Sequence, residues 1–284
     1  MAMIGNRLQQ DIKDGLLAPA GYGNMEVRLG RLKDVTRVLI HGFNLNVDGS
    51  ADVICAPQAG VVGPPAVPDY TIAFSSASTV ILYSTSTLDT SEGTGAQIVQ
   101  VSGLDSNYNP LVELVTMNGQ TATTATTGTF FAINEMIVGV AGNTNTNQGA
   151  IYLTLTGVGA TNGIPTSIYH GIEEGWGFSQ TGIYTVPLGY TLFMNHIQTT
   201  AGGATDANPA ILFPMARIGG VDLIFARLFI DRGASDYPLW SGPPIVEKSI
   251  VYCKCSRLQE ATAVPIGFYW QFNLVKTSSY SGIN

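Results

Sequence analysis

Short segments of alternating apolar and polar residues follow one another from residue 38 to residue 276. A period of two is typical of β-strands that bury one face, and the Gly, Pro, Asn and Asp residues between the segments mark turns. The predicted strands are residues 38–47, 52–56, 79–84, 97–101, 111–117, 130–140, 151–156, 183–186, 190–198, 210–217, 223–230, 246–257 and 265–276. Because no long helical segment separates them, we predict an all-β fold, built as one or two antiparallel β-sandwiches of the jelly-roll or Ig-like kind.

The last predicted strand has the clearest one-sided pattern. Ile266, Phe268, Trp270, Phe272 and Leu274 stand at every second position and therefore share one face. A row of large apolar side chains on one face predicts a wall of a sandwich core.

Two dipeptides predict tight turns between strands. Asp48-Gly49 lies between the first two predicted strands, and Asn118-Gly119 follows the strand at 111–117. Both dipeptides favour two-residue hairpin turns, because both of their central residues adopt positive φ readily. We therefore predict a hairpin at each place.

The beginning of the chain has a different pattern. Ile4, Leu8, Ile12 and Leu16 recur every four residues, which predicts an amphipathic helix that ends near Gly15. A helix of about three turns is marginal alone in water, so its apolar stripe must dock. It can dock on the chain's own body or on a neighbouring subunit, and the pattern leaves both open.

These patterns predict three regions. Residues 1–37 form an anchoring arm with the short helix, residues 38–67 form a β-hairpin region followed by a Gly/Pro-rich linker, and residues 68–284 form the sandwich body, with a candidate division near 165–182. The candidate interface residues of the arm are Ile4, Leu8, Ile12, Arg28, Arg31, Lys33 and Arg37.

The charge distribution narrows the classes of partner. Residues 38–216 contain eleven Asp and Glu residues and no Lys or Arg, while residues 1–37 and 217–284 each carry a net charge of +2. A region without cations cannot neutralise phosphates, which argues against nucleic acid as a partner. An acidic body with basic ends favours attraction between copies, although basic residues that simply fall outside the core strands would give the same distribution.

Sheet edges without lysine lack a common protection against strand pairing. We therefore predict self-association into a trimer or a higher homo-oligomer, which would cover those edges.

Cysteine and hydropathy patterns predict neither a cofactor nor a membrane partner. Cys253 and Cys255 share one face of a strand with Cα atoms roughly 6.5–7 Å apart, at the limit for a disulfide, and are expected to be buried free thiols. No apolar run approaches the ~18 residues of a membrane span. Residues 1–14 have no secretory signal pattern, so we expect the chain to fold inside the cell that makes it.

No residue pattern predicts catalysis or a resident metal. His41, His170 and His196 are isolated and are expected to be ordinary core or surface residues. The adjacent Glu173 and Glu174 would point to opposite faces of a strand, so an acid–base pair is not expected. A polysaccharide-degrading enzyme that uses these glutamates is the least favoured alternative.

Five aromatic residues fall in turn-like segments: Tyr108, Tyr169, Trp176, Tyr237 and Trp240. Aromatic rings in loops can bury into a neighbouring subunit or stack on a sugar. We favour subunit contacts for Tyr237 and Trp240, and Trp176 and Trp240 are the candidate sugar-stacking residues if the protein binds a glycan.

A series of turn motifs occupies residues 88–119. The run LDTSEGTGA at 88–96 is followed by GLDSNYN at 103–109 and by ELVTMNG at 113–119. Gly93, Gly95 and Gly103 are expected to permit turns or bulges, and Asp105, with Asn107 and Asn109, to form Asx-turns.

A calcium site is the alternative interpretation of these loops. Asp89, Glu92, Asp105 and Asn107 could supply oxygen ligands, but EF-hand spacing is missing.

The order and spacing of these motifs resemble a family of virion structural proteins of tailed bacteriophages, many from marine and cyanobacterial hosts. The resemblance covers about residues 80–275, and the first 65 residues lie outside it. It implies a virion component without catalytic residues, such as a capsid decoration or cement protein, a head fibre or a tail part. Its implied partners are other virion proteins, among them the major capsid protein, and a fibre module that binds host-surface polysaccharide is a further alternative.

Overall fold

The computed structural model describes residues 34–47, 52–53, 74–201, 210–230, 233–238, 243–257 and 264–279. Within these ranges the chain forms eighteen β-strands and one 3-10 turn at Thr277–Ser279, and it contains no α-helix. The strands are β1 (Val35–Val47), β2 (Asp52–Val53), β3 (Val80–Ser84), β4 (Ala96–Leu104), β5 (Pro110–Thr116), β6 (Ala132–Ala141), β7 (Ile151–Leu155), β8 (Ala160–Thr161), β9 (Ile164–Pro165), β10 (His170–Ile172), β11 (Ile183–Thr185), β12 (Tyr190–Ala201), β13 (Ala210–Ile218), β14 (Val221–Ile224), β15 (Leu228–Ile230), β16 (Gly233–Pro238), β17 (Ile250–Arg257) and β18 (Val264–Lys276). The predicted all-β, antiparallel sandwich class is confirmed.

The strands form four main sheets, which we call A to D. Sheet A has the order β1-β18-β12-β16, and sheet B has the order β11-β17-β13-β14, with β15 paired to β13 and β2 paired to β17. Sheet C has the order β10-β7-β3, and sheet D has the order β5-β4-β6. Strands β8 and β9 form a separate two-stranded ribbon.

Three apolar clusters hold these sheets together. Core 1 contains residues of sheets A and B, and all five members of the predicted aromatic wall of β18 are buried in it. Core 2 contains residues of sheets C and D. Core 3 lies between sheets B and C, on the face of each sheet that does not contact core 1 or core 2. Alternate residues of one strand therefore enter different cores: in β17, Val251 and Cys253 lie in core 1, whereas Tyr252 lies in core 3.

Sheets B and C are therefore apolar on both faces, and the four sheets stack in the order A, B, C, D. Core 2 is built from residues 74–172, whereas core 1 is built from residues 40–47 together with residues 186–274. The C–D sandwich is thus inserted in sequence within the A–B sandwich, and the change of core falls between Ile172 and Val186.

Strand β1 crosses the predicted region boundary at residue 37. It begins at Val35, before the predicted end of the arm at residue 37, and it pairs with β18 from Val35↔Val275 to Val47↔Val264. Ile40 and Val47 lie in core 1. Residues 38–47 therefore belong to the body, because β18 offers this strand a full-length partner and the core takes its apolar face.

Neither predicted hairpin forms. β1 pairs with β18 whereas β2 pairs with β17, so the strands that flank Asp48-Gly49 lie in different sheets. Gly119 has the expected positive φ of 61°, but β5 pairs with the preceding strand β4. The residues after Gly119 run instead along the free edge of β3.

Two other differences concern strand number. The predicted strand at 223–230 is two strands, β14 and β15, which pair with different parts of β13. β16 lies in a segment that the sequence predicted to be turn-like, and it contains Tyr237, which pairs with Ile197 of β12.

Candidate functional sites

The residues of the first turn motif surround one buried carboxylate. Asp89 is completely buried and accepts four hydrogen bonds. The donors are the hydroxyl of Ser84 at 2.5 Å and the backbone N–H groups of Ala96 at 2.7 Å, Gln148 at 2.9 Å and Gly149 at 3.0 Å. Each oxygen receives two donors, so Asp89 connects the motif to the loop before β7 and has no oxygen left for a cation.

The calcium interpretation therefore has no structural support at Asp89. No group of three or more His, Cys, Asp and Glu residues with metal-binding geometry occurs among the residues that the structure describes. Asp105 lies in a separate loop, where its Oδ1 accepts the backbone N–H groups of Asn107 at 2.8 Å and Asn109 at 2.9 Å. These bonds, of which that from the backbone of Asn109 contributes most, lower the pKa of Asp105, and the bond from Asn107 confirms the predicted Asx-turn at Asp105.

The motif glycines act mainly through close packing. Gly93 closes a turn in which its N–H donates to the carbonyl of Thr90 at 2.9 Å, although none of Gly93, Gly95 and Gly103 has a left-handed φ. A Cβ on Gly93 would lie 2.0 Å from the carbonyl oxygen of Leu88, and one on Gly103 would lie 2.1 Å from that of Ala132. The predicted bulge is present at Gly103, where the β4–β6 register shifts.

Trp176 lies on a turn that hydrogen bonds hold in place. The backbone N–H of Trp176 donates to the carbonyl of Glu173 at 3.2 Å, and Gly175 supplies the positive φ of 77° at the third position of this turn. The buried side chain of Asn147 donates to the carbonyl of Glu173 at 2.8 Å and accepts the N–H of Gly177 at 3.0 Å. Trp176 is 52 % exposed, so the side chain of Asn147, and not the indole, holds this loop in place.

An aromatic row leads from Trp176 to the edge of sheet A. The ring centroids of Trp176 and Phe178 are 6.0 Å apart, those of Phe178 and His41 are 5.3 Å apart, and those of His41 and Tyr269 are 4.9 Å apart. Phe178 also lines a cleft of about 230 Å³ between β1, β6 and the segment 178–183. The other lining residues are Leu39, Ile40, His41, Asn134, Glu135, Ile137, Ser179, Thr181, Gly182 and Ile183.

The ionisable groups of this region are acidic or neutral. Partial burial raises the pKa of Glu135 and lowers the pKa of His41. Burial, and then the charge of Glu174, raise the pKa of Glu173. None of the described residues that line the cleft is a Lys or an Arg.

The second surface is an apolar hairpin formed by residues 215–224, which we call the β14 hairpin. Gly219 and Gly220, both with positive φ, connect β13 to β14. All four residues of β14 are exposed, among them Val221 at 61 %, Leu223 at 44 % and Ile224 at 49 %. The sequence contained a usable signal, a Gly-Gly pair between two apolar segments, which the strand prediction at 223–230 did not use.

An ion pair fixes the register of the β14 hairpin. Arg217 and Asp222 stand opposite each other, and the Nε and Nη2 of Arg217 donate to the carboxylate at 2.7 and 2.9 Å. The hydrogen bonds from Arg217 hold the pKa of Asp222 below its usual value. Among the described strands β14 is the last of its sheet, so this hairpin presents both apolar side chains and a strand edge.

A further exposed apolar surface lies on β5, the first strand of sheet D. Val112 is 56 % exposed and Leu114 is 68 % exposed, on the face opposite core 2. The β5 surface therefore lies on sheet D of the C–D sandwich, and the β14 hairpin lies at an edge of sheet B in the A–B sandwich.

The predicted interface residues fall into two groups. Ile4, Leu8, Ile12, Arg28, Arg31, Lys33 and Trp240 lie outside the described residues, as does the predicted N-terminal helix. Arg37 lies in β1, where it donates a hydrogen bond to the side chain of Gln271. Tyr237 is partly buried against core 1, and its hydroxyl donates to the carbonyl of Phe229.

The histidines and cysteines have ordinary structural surroundings. His170 is buried and bonds to the hydroxyl of Thr181 at 2.6 Å, and His196 pairs with Asp236 of β16. Cys253 and Cys255 are buried in core 1, which confirms their predicted burial. Within the described ranges, no helix is long and apolar enough to cross a bilayer.

No protein-family model matches the chain, and no curated protein matches its sequence. Solved structures that align with it include the structure of infectious bursal disease virus Gt strain, at 12% identity over 88% of this chain and 75% of that chain, with a TM-score of 0.23. Another is the crystal structure of the infectious bursal disease virus VP2 subviral particle, at 11% identity over 88% of this chain and 74% of that chain, also with a TM-score of 0.23. TM-scores of this size do not establish a common fold.

Proposed function

We propose that this chain is a structural protein of a bacteriophage virion, with a capsid-associated role as a decoration protein or head fibre. Residues 1–33 tie it to the particle and the stacked sandwiches form its outer body. The role is architectural and requires no catalytic group. A tail component is the alternative position, and the motif series at 88–119, with its resemblance to virion proteins, supports both.

The β14 hairpin is the observation that carries the proposal. β14 is the last described strand of sheet B and pairs with β13 alone, yet its Val221, Leu223 and Ile224 are all more than 40 % exposed. Exposed apolar surface of this kind marks contacts between proteins. An unpaired strand edge beside it can add a strand from a neighbour. We infer that the β14 hairpin is buried between copies of the chain.

Low charge makes such contacts easier to form over much of the surface. Charged residues are 12% of the chain, against about 25% in ordinary soluble domains. Fewer charges mean a smaller desolvation cost when two surfaces meet. The net charge of the central region, −11 over residues 38–216, would repel a second copy, so the basic ends are expected to lie against the acidic body of a neighbour.

Sedimentation velocity of the full-length protein tests self-association. We expect a trimer or a larger closed assembly, and we expect Leu223→Lys to shift it to monomer because the new ammonium cannot be buried without a partner. Leu88→Lys is the matched control, since Leu88 is 48 % exposed and Leu223 is 44 % exposed. A monomeric wild-type protein, or equal effects of the two substitutions, would contradict the assembly role of the β14 hairpin.

Removal of residues 1–33 tests the anchoring role. The deletion must stop before Val35, since β1 begins there and pairs with β18. We expect the shortened protein to fold and to self-associate but not to enter particles. Incorporation at the full-length level would contradict the anchoring role while leaving the assembly role of the hairpin intact.

A further inference from the structure

The exposed indole of Trp176 lies outside the proposed assembly surfaces, and its aromatic face is available to a ligand. We propose that Trp176, Phe178 and the adjoining cleft bind a saccharide that is neutral or carries amino groups, with a single sugar ring in the cleft. The inference concerns the isolated protein and does not depend on its position in a virion.

The Trp176 turn is built to hold an aromatic ring in solvent. Asn147 fixes both sides of the turn through bonds to the backbone of Glu173 and Gly177. Because the backbone is fixed, only the side-chain torsions of Trp176 need to be ordered when a ligand binds, so more of the contact energy contributes to affinity. The apolar face of a sugar ring can pack on an indole face, which is large and amphipathic.

The cleft beside the aromatic row supplies polar groups at the same place. Its volume of about 230 Å³ is below the ~300–1,000 Å³ of pockets for drug-sized ligands, and it suits one ring of an oligosaccharide. The Glu135 carboxylate can accept hydrogen bonds from sugar hydroxyls, and Ser179 adds a hydroxyl group. Aromatic and aliphatic walls with a few polar groups are the usual composition of small-ligand sites.

Charge selects the class of saccharide. The side chains that flank the row and the cleft include Glu135, Glu173 and Glu174, and no Lys or Arg occurs among residues 38–216. The cation Arg37 stands two residues before the cleft residue Leu39, but it does not line the cleft and donates instead to the side chain of Gln271. An anionic sugar such as a uronate would meet carboxylates without a cation to pair with it, whereas a neutral or amino sugar would not.

Tryptophan fluorescence of the full-length Trp240→Phe variant tests the site. This variant keeps Trp176, which is exposed, and Trp270, which is fully buried, so quenching by acrylamide reports mainly on Trp176. The probes are hexasaccharides of glucose, mannose, galactose and N-acetylglucosamine, a glucosamine oligomer, and oligogalacturonate as the anionic control. We expect at least one neutral or amino probe to bind saturably and to protect Trp176 from acrylamide.

Substitutions separate stacking from general effects on the fold. Calorimetry should show that Trp176→Ala weakens binding by about tenfold or more, that Trp176→Phe retains part of the affinity, and that Glu135→Ala weakens it without a change in thermal stability. Phe229→Ala, at a residue that is 60 % exposed elsewhere, should bind as the wild type does.

Three results would overturn the proposal: no binding by any neutral or amino probe, binding that Trp176→Ala leaves unchanged, or preferential binding of oligogalacturonate. Each of them leaves the sedimentation and particle tests of the proposed function unaffected.

Discussion

The carboxylate of Asp89 occupies the space that a side chain on residue 95 would need. An ideal Cβ on Gly95 would lie 2.0 Å from Oδ1 of Asp89, and that oxygen already accepts the N–H groups of Ala96 and Gln148. The motif at 88–96 therefore has a packing origin: the chain closes around a buried charge whose partners are mostly backbone groups.

Gly95→Ala should destabilise the protein strongly. The methyl group must displace the Asp89 carboxylate from its donors, and we expect a loss of about 2–4 kcal/mol in the free energy of unfolding. Gly159→Ala is the matched control, because no atom lies within 4 Å of its Cβ position and its φ is not left-handed. Urea denaturation of both variants measures the difference, and equal stabilities would refute the packing explanation.

Asp89→Asn keeps the shape of the side chain but replaces one acceptor oxygen by an NH₂ donor. In one orientation of the amide the new NH₂ group would face the N–H of Gly149, and in the other it would face the N–H groups of Ala96 and Gln148. In either orientation at least one buried N–H loses its acceptor, at a cost of about 1–3 kcal/mol in the free energy of unfolding. Asp105→Asn is the control, since its two backbone N–H bonds go to Oδ1 alone. If thermal unfolding shows the same small effect for both, the bonds to Asp89 contribute little.

The threonine-rich run covers the free edge of β3. The hydroxyl of Thr126 accepts the N–H of Val80 at 3.0 Å, and that of Thr123 accepts the N–H of Leu82 at 2.9 Å. The N–H groups of these threonines donate to the carbonyls of the same two residues. Thr123 and Thr126, three residues apart, thus bond to Leu82 and Val80, which are two residues apart on β3.

Thr126→Val should therefore lower the free energy of unfolding, although threonine and valine side chains are nearly equal in size. It removes the acceptor of a buried N–H and should lower the unfolding free energy by about 1–3 kcal/mol, whereas Thr124→Val, at an exposed position in the same run, should have almost no effect. Amide hydrogen exchange at Val80 should also accelerate in the first variant. Unchanged exchange there would show that the hydroxyl is dispensable.

Stability should fall in acid because of His170. Burial lowers the pKa of its imidazole to about 3, against about 6.5 in the unfolded chain. The unfolded state therefore binds a proton that the folded state does not, and stability is lost as the pH falls from about 6.5 toward 3. The loss attributable to this group is at most about 5 kcal/mol.

An NMR titration of His170 checks this directly. Its ring signals should show no protonation above pH 4 while the protein remains folded. In denaturation series at several pH values, the stability difference between the wild type and His170→Gln should shrink as the pH falls. Protonation of His170 near pH 6 in the folded protein would contradict the expectation.

The sequence predicted where strands form but not which strands pair. The alternation of apolar and polar residues predicted β18 and its buried face, because a strand that buries one face has an apolar residue at every second position. Strand pairing depends on contacts between segments that are distant in sequence. β1 therefore pairs with β18 and not with the nearby β2, which pairs with β17. Gly119 has the positive φ expected of it, but the turn there runs from Asn118 to Thr121. The bonds of Thr123 and Thr126 to β3 then lead the chain away from β5.

The candidate sites were harder to predict for the same reason. Trp176 was identified as a loop aromatic, but its exposure depends on Asn147, which lies 30 residues before Gly177. The four donors to Asp89 come partly from residues 148–149, far from the motif. No local pattern reports such contacts, whereas the Gly219-Gly220 turn of the β14 hairpin was visible in sequence.

Quantitative mass spectrometry of purified phage particles that encode this chain is the most direct test of its role in a virion. Chymotrypsin is the appropriate protease, because residues 38–216 contain no Lys or Arg for trypsin to cleave. If the chain is a structural component, its peptides should occur in a fixed, multi-copy ratio to those of the other virion proteins after gradient purification. Absence from the particles, with abundant protein in the infected-cell lysate, would contradict the account.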